Sequence, residues 1–291
     1  MLRNTINSID DYITGEKFYQ FADMIYSPDI IPEFDDYNLL ENTFDISKLE
    51  DINTVYTHTL YVKHLFETIK DLAAKFIIIT HNSDINIDNS FHIPKNVIKW
   101  YAQNKYNWDT RITPIPIGLE NERWYKETNK KQKMFDILKT EKKIKNLAYM
   151  NHNVKTYPPE REYLYTKFSQ YTYIDIERGI NGQLFERYVD NVYNHDFVFA
   201  PRGNGIDTHR IWECLYMNTI PIVIRNHFTA QLKDLPICIV DEWCDINRDF
   251  LLRKRDEIYS MGWNYEKLKI DYWRDEIEQR KNIYRNSLLQ S

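Results

Sequence analysis

Two arginines, Arg202 and Arg210, bracket Gly203, Asn204, Gly205, Asp207, Thr208 and His209 in the stretch FVFAPRGNGIDTHRIWECLYMNTIPIVIRN. Glycines let a backbone come close to a ligand. A helix start presents N–H groups without intrahelical partners and about half a unit of positive charge. Arginine adds a fork of donors that matches phosphate oxygens. Together these residue types point to phosphate or diphosphate, held by Arg202, Gly203, Asn204, Gly205, Thr208, His209 and Arg210. Asp207 reads as the N-cap of the helix, its carboxylate accepting the Arg210 N–H. Glu213 lies one turn beyond Arg210, a spacing that suits either a ribose diol or an ion pair with Arg210. Trp212 and Leu215 read as core.

That loop needs elements to position it. Residues 197–200 are a short apolar run, a helix is expected from 207 onward, and 220–224 are apolar again. Strand, helix, strand is the crossover unit of parallel sheets, and open α/β sheets bind ligands at carboxyl strand ends. The pattern also occurs earlier. Residues 54–57 read as a strand, 61–74 as a helix, and 76–80 (FIIIT) as a buried strand that delivers His81, Asn82, Ser83 and Asp84 to its end. Strands at 98–102 and 112–117 follow, the second ending in the turn Pro116-Ile117-Gly118-Leu119-Glu120-Asn121. Residues 123–145, rich in Lys, Glu, Asn and Gln with a stripe of Phe135 and Leu138, read as a solvated helix or linker. The domain boundary is expected there, dividing the chain into 1–140 and 141–291. The second half opens with a strand at 147–150, the loop Asn151-His152-Asn153, and a helix begun by Pro158 and Pro159 that carries Arg161. A strand at 171–176, a helix at 183–193, a strand at 237–240 and two helices between 247 and 289 complete it. Residues 1–50, acidic and aromatic with weak periodicity, read as an irregular lead-in with one helix.

Bulk composition excludes several classes. At 291 residues the chain suits one large domain or two ordinary ones. A net charge of −5 does not suit a protein that grips nucleic acid by its phosphates, so positive charge has to be local. No window approaches a membrane span and the N-terminus lacks a signal-peptide core, which sets the expectation of a cytoplasmic protein. Cys214, Cys238 and Cys244 lack disulfide or metal spacing and read as reduced thiols. There is no Asp-x-Asp motif; Asp175-Ile176-Glu177 comes nearest and reads as a strand end without metal. No G-x-G-x-x-G follows an early strand, which argues against a dinucleotide oxidoreductase.

The run PRGNGIDTHRIWECLYMNTIPIVI resembles the signature of exostosin-like glycosyltransferases, including short soluble forms from large DNA viruses and algae. Thr80-His81-Asn82-Ser83-Asp84, Trp100-Tyr101-Ala102-Gln103-Asn104 and residues 115–121 resemble that family's first half, and residues 151–161 the opening of its second. Coverage runs over residues 54–245. Cys214 stands where Ala is usual and Met217-Asn218-Thr219 where a Gly is usual, departures that bear on helix packing.

The resemblance implies a GT-B-like α/β architecture, two Rossmann-like domains facing across a cleft, with the acceptor side in 1–140 and the nucleotide sugar on 141–291. It implies that 202–210 holds the donor diphosphate, that Arg161 adds a phosphate contact, and that Glu213 binds ribose. Asn151, Asn153, Ile176, Glu177 and Arg178 would surround ribose and base. Enzymes of this architecture manage without metal, so no cofactor is expected beyond a nucleotide-sugar co-substrate. An inverting transfer needs a group opposite the diphosphate to deprotonate the acceptor hydroxyl. Asp84 leads, with an Asx-turn or N-cap as its structural alternative; Glu120 and His81 follow, then Glu122. The expected activity is transfer of a sugar, such as xylose, from a UDP-sugar to a glycan or glycoprotein hydroxyl, without nucleic-acid or membrane partners. The alternatives are a GDP-sugar donor and a non-catalytic nucleotide- or glycan-binding module.

Overall fold

The computed structural model describes residues 2–27, 43–122, 129–178 and 185–289. Two compact units emerge, Ile13–Ile117 with Ile270–Ser291, and Met1–Tyr12 with Gly118–Lys269.

In the first unit, apolar runs bounded by turns become five parallel strands in chain order. They are β1 (Met24–Tyr26), β2 (Ile52–His58), β3 (Lys75–His81), β4 (Val97–Ala102) and β5 (Ile112–Pro114). α1 (Gly15–Phe18) precedes them and α2 (Val62–Ile69) joins β2 to β3. Successive side chains of a strand point to opposite faces. Phe76 and Ile78 of β3 accordingly join a core with Leu65, Phe66 and Ile69 of α2, while Ile77 and Ile79 join another. The second core is closed by α8 (Ile270–Leu289), which supplies Ile270, Trp273 and Ile277 beside Ile13 and Phe18. A strand apolar on both faces needs two covers, and each fully buried Ile or Phe contributes about 1.5–3 kcal/mol. That demand returns the last helix of the chain to the first strands.

The second unit contains α3 (Lys130–Ile137), β6 (Asn146–Met150), α4 (Pro158–Phe168), β7 (Ile174–Ile176), α5 (Phe185–Tyr193) and β8 (His195–Phe199). α6 (His209–Tyr216), β9 (Ile220–Ile224), β10 (Cys238–Val240) and α7 (Arg248–Ser260) complete it. All neighbouring strands are parallel, in the order β10-β9-β8-β6-β7. The chain moves outward from β6 to β7, then returns to the other side of β6 with β8. The reversal falls between β6 and β8, paired through Ala148↔Phe197 and Tyr149↔Val198. A doubly wound sheet leaves its ligand crevice at such a switch point, beyond the carboxyl ends. The described strands of the first sheet contain no reversal.

Both units are therefore Rossmann-like α/β layers, but their limits differ from 1–140 and 141–291. The main division is at Ile117/Gly118, where Gly118 takes a left-handed φ of 68°. Of the expected solvated helix, residues 123–128 lie outside the described residues; the rest is a short α3 that buries Lys131 and Met134 and packs on α5 and α6. Residues 2–12 serve the second unit. Leu2 enters its core, and Asn4 Nδ2 donates to Leu215 O (3.2 Å) and Tyr216 O (2.7 Å) at the end of α6. Residues 28–42 of the expected lead-in and 183–184 of the expected helix also lie outside the described residues. The expected strand at 171–176 shortens to Ile174–Ile176 because the Ile174 N–H closes a turn onto Tyr171 O (3.2 Å). No described helix is long and apolar enough to cross a membrane.

α8 is locked to the sheet edge by Lys281, 4% exposed, whose ammonium pairs with Asp23. Asp23 also accepts the Thr54 N–H at 2.6 Å. Asp23 is itself exposed, so removing it leaves the buried Lys281 ammonium without its ion-pair partner. Asp23→Ala is expected to cost about 1–3 kcal/mol in denaturant unfolding, with most of the loss recovered in Asp23→Ala/Lys281→Met.

Candidate functional site

β8 ends at Phe199, and the chain continues through Pro201-Arg202-Gly203-Asn204-Gly205 to the start of α6 at His209. Four successive carbonyls of this loop face two guanidiniums. Arg161, from α4, donates Nη2 to Pro201 O (3.3 Å) and Nε to Arg202 O (2.8 Å). Its Nη1 donates to Asn153 O (2.8 Å), in the loop after β6. Arg202 folds back, donating Nε to Gly203 O (3.3 Å) and Nη2 to Asn204 O (2.9 Å), and its guanidinium lies 4.4 Å from the centre of the Tyr157 ring. A Cβ at Gly203 would stand 3.3 Å from Arg161 Nη2, so this glycine makes room for the clamp.

In a trans peptide the N–H points opposite to the C=O. Carbonyls turned onto guanidiniums therefore turn their N–H groups away from them. Gly203 N–H donates to Gly205 O (3.1 Å), but the N–H groups of Gly205, Ile206, Thr208, His209 and Arg210 have no acceptor among the described residues. Thr208 is the N-cap of α6 and makes no side-chain cap bond; its Oγ1 is buried without a partner. Unpaired N–H groups leading into a helix start form an anion-binding feature.

Positive charge lies directly behind this loop. Arg210 Nη1 donates to Asn151 O (2.5 Å), linking the first turn of α6 to the end of β6. Its Nε faces Glu213 Oε2 at 3.4 Å, an ion pair without hydrogen-bond geometry, and its guanidinium lies 4.8 Å from the Tyr188 ring centre. Burial works against the Arg210 charge, but Tyr188 and Glu213 outweigh it and hold the pKa above the usual arginine range. For Arg161, burial and then the charge of Arg210 outweigh Glu160 and Tyr165 and pull its pKa down to about 10. His152 sits between them, 3% exposed, with Nε2–H donating to Arg161 O (3.0 Å) and Nδ1 buried without a partner. Burial, assisted by both arginine charges, lowers its pKa to about 4 and keeps it neutral at pH 7.

The other expected residues take distinct places. Asp207 is not the N-cap. Its Oδ1 accepts the Trp212 indole N–H (2.8 Å), and the residue is 3% exposed. His209 places Nδ1 2.8 Å from Gly118 O and Nε2 3.4 Å from Glu120 Oε2. Glu120 thus belongs to the unit that carries the loop, paired with His209, and not to the first unit. Glu122 pairs with Lys131 (2.7 Å) in the same unit. His81 is a packed histidine: Nδ1 accepts the Asn82 N–H (2.7 Å), Nε2 donates to Pro116 O (3.0 Å), and the ring stacks on Phe18. Asp84 is exposed in the loop after β3.

Glu213 Oε2 accepts the Tyr188 hydroxyl. Asn151 is fully buried and donates Nδ2 to Tyr149 Oη (3.0 Å); Asn153 Oδ1 accepts the Lys155 N–H (3.1 Å). Glu177 is surrounded by Tyr149 Oη (2.6 Å), Asn191 Nδ2 (3.2 Å) and Arg187. Ile176 packs against the unit's core, and Arg178 lies exposed with its guanidinium 4.9 Å from the Tyr165 ring centre. Asp175 accepts from Asn146 Nδ2 (2.7 Å) and faces His195 Nε2 (3.0 Å). Among the described residues no group of three or more His, Cys, Asp or Glu side chains is arranged to hold a metal.

Sequence reading missed Tyr149, Tyr157, Tyr165 and Tyr188, which support Asn151, Arg202, His152 and Arg210 respectively. Spacing alone does not separate them among 22 tyrosines. Asp207→Ala, which strands a buried indole N–H, is expected to cost about 1–3 kcal/mol. In a Trp212→Phe background the cost should shrink, giving a double-mutant coupling of about 1 kcal/mol or more; an N-cap role gives no coupling.

The fold and site define an α/β protein of two Rossmann-like units, with a loop of open N–H groups at the switch point of the second. No family model matches the chain, and no curated protein matches it. Solved structures do resemble it. An α1,3-fucosyltransferase is 11% identical, with 93% of this chain and 95% of that one covered at a TM-score of 0.45. An α,α-trehalose 6-phosphate synthase from Burkholderia multivorans is 10% identical over 84% of this chain and 74% of that one, at 0.40. The catalytic domain of starch synthase IV from Arabidopsis thaliana, bound to ADP and acarbose, is 8% identical over 83% and 73%, at 0.36.

Proposed function

We propose that this protein is a glycosyltransferase whose second unit binds the diphosphate of a nucleotide sugar on the loop between β8 and α6. The observation that carries the reading is the set of free N–H groups at Gly205, Ile206, Thr208, His209 and Arg210, backed by a buried guanidinium at a sheet switch point. As the bond from the sugar to the diphosphate breaks, negative charge develops on the leaving phosphate. Fixed N–H dipoles and Arg210 oppose that charge without reorganising, which supports a transfer that needs no metal. Asp84 takes the proton from the acceptor hydroxyl, and direct displacement inverts the sugar carbon. Glu213 serves the ribose after exchanging its bond to Tyr188, and Arg178, stacked on Tyr165, borders the base. A UDP-sugar is the proposed donor, with xylose among its sugars, and a glycan hydroxyl the acceptor. The chain is the exostosin-like type that its PRGNG segment resembles.

One observation favours a second reading. His81 and Glu120, two of the three leading base candidates, are engaged elsewhere, as in a module that binds nucleotide without catalysis.

A nucleoside diphosphate at a hundred times its Kd should raise stability by about 2.7 kcal/mol, read as a thermal shift across a panel of UDP, GDP and ADP. No shift with any of them contradicts the donor-site assignment. Arg210→Ala should weaken binding at least about tenfold, as expected for a lost charge-assisted hydrogen bond. Asp84→Asn should keep the shift and lose turnover of the sugar nucleotide. A chelator should leave turnover unchanged, and a wild-type protein that binds but never turns over supports the second reading.

A further inference from the structure

The loop that forms the anion site also contains an Asn-Gly sequence, Asn204-Gly205. Glycine has no Cβ to hinder its own amide nitrogen from approaching the preceding side chain. Within residues 201–210, Asn204 alone is exposed, the others being buried or half-buried. The Gly205 N–H has no acceptor among the described residues, so no hydrogen bond has to break before that nitrogen reacts. The decisive contact is on the other end of the same peptide. Arg202 Nη2 donates to Asn204 O at 2.9 Å. A cation hydrogen-bonded to an amide oxygen stabilises the negative charge that the oxygen gains when the amide loses its proton. The Arg202 clamp therefore acidifies the Gly205 N–H while it shapes the loop.

We infer that Asn204 is a site of spontaneous deamidation that switches the anion loop off. The deprotonated Gly205 nitrogen attacks Asn204 Cγ, an N–C bond forms, the Cγ–Nδ2 bond breaks, and ammonia leaves with the proton taken up from solvent. Water then opens the five-membered imide at either carbonyl, giving aspartate or isoaspartate at position 204. No oxidant, reductant or enzyme is required. Either product places a carboxylate in a loop that presents N–H groups to an anion, and isoaspartate also inserts a methylene into the backbone that the guanidiniums hold. This consequence rests on the diphosphate reading of the loop; the modification itself does not.

The test incubates the intact protein in mildly alkaline buffer and follows conversion at each asparagine by peptide mass mapping, with isoaspartate detected separately. UDP binding is measured on the same samples. The chain's other Asn-Gly pair, Asn181-Gly182, which lies outside the described residues, serves as the internal comparison. Conversion should be concentrated at Asn204, slow severalfold in Arg202→Met, and weaken UDP binding of the converted fraction at least about tenfold, as expected for a new like charge beside the ligand. Asn204→Asp should reproduce the loss without incubation. Asn204 remaining intact while Asn181 converts, or converting equally fast in Arg202→Met, overturns the inference. Conversion at Asn204 with UDP binding undiminished overturns the switch alone, whereas unconverted protein that binds no UDP overturns the diphosphate reading and leaves the modification standing.

Discussion

The site depends on the opposed directions of the N–H and C=O of each peptide. Four carbonyls in a row, from Pro201 to Asn204, point at Arg161 and Arg202. With those oxygens fixed, the Gly205 N–H of the last of these peptides turns away from the guanidiniums, and the N–H groups of Ile206, Thr208, His209 and Arg210 that follow it into α6 meet no acceptor among the described residues. Guanidinium suits the task because its donors form a rigid planar fork and it stays charged when buried. Arg161 adds a second function by reaching Asn153 O, which joins the loops after β6 and β8 into one body.

This arrangement has an electrostatic cost. Arg161 is only 9% exposed, and its folded pKa is depressed to about 10. For a base, a depressed folded pKa means that its charge destabilises the fold at every pH below that value. The cost fades as pH rises through the folded pKa toward that of the unfolded chain. α5 holds the rest in place: Tyr188 covers Arg210 and binds Glu213, while Arg187 and Asn191 fix Glu177. The cost is local to the crevice where β6 and β8 part, the position the strand order alone assigns to a ligand.

Much of the fold was legible from apolar runs. The strand at 220–224 and the βαβ grouping around FIIIT were read because buried parallel strands are continuous apolar segments. β1 was missed because three residues, Met24–Tyr26, show no period. The return of α8 to the first unit was invisible locally, since an amphipathic helix does not name the face it will cover. At the site, residue types identified the right loop but not the geometry. Arg161 and Arg202 were expected to contact phosphate, and the structure gives both a further task, holding loop carbonyls. Asp207 had the position and chemistry of an N-cap, yet a buried indole N–H, which must find an acceptor, claimed it. Glu120 was assigned by chain position, while its pairing with His209 follows from a chain crossing at Gly118 that no local pattern announces.

The central claim is that the backbone N–H groups of this loop, and not only its side chains, receive a phosphate. Amide chemical shifts of isotopically labelled protein during titration with UDP test it directly. The account predicts that the largest changes fall on the amides of Gly205, Ile206, Thr208, His209 and Arg210. Saturable UDP binding that leaves those amides unmoved would contradict it.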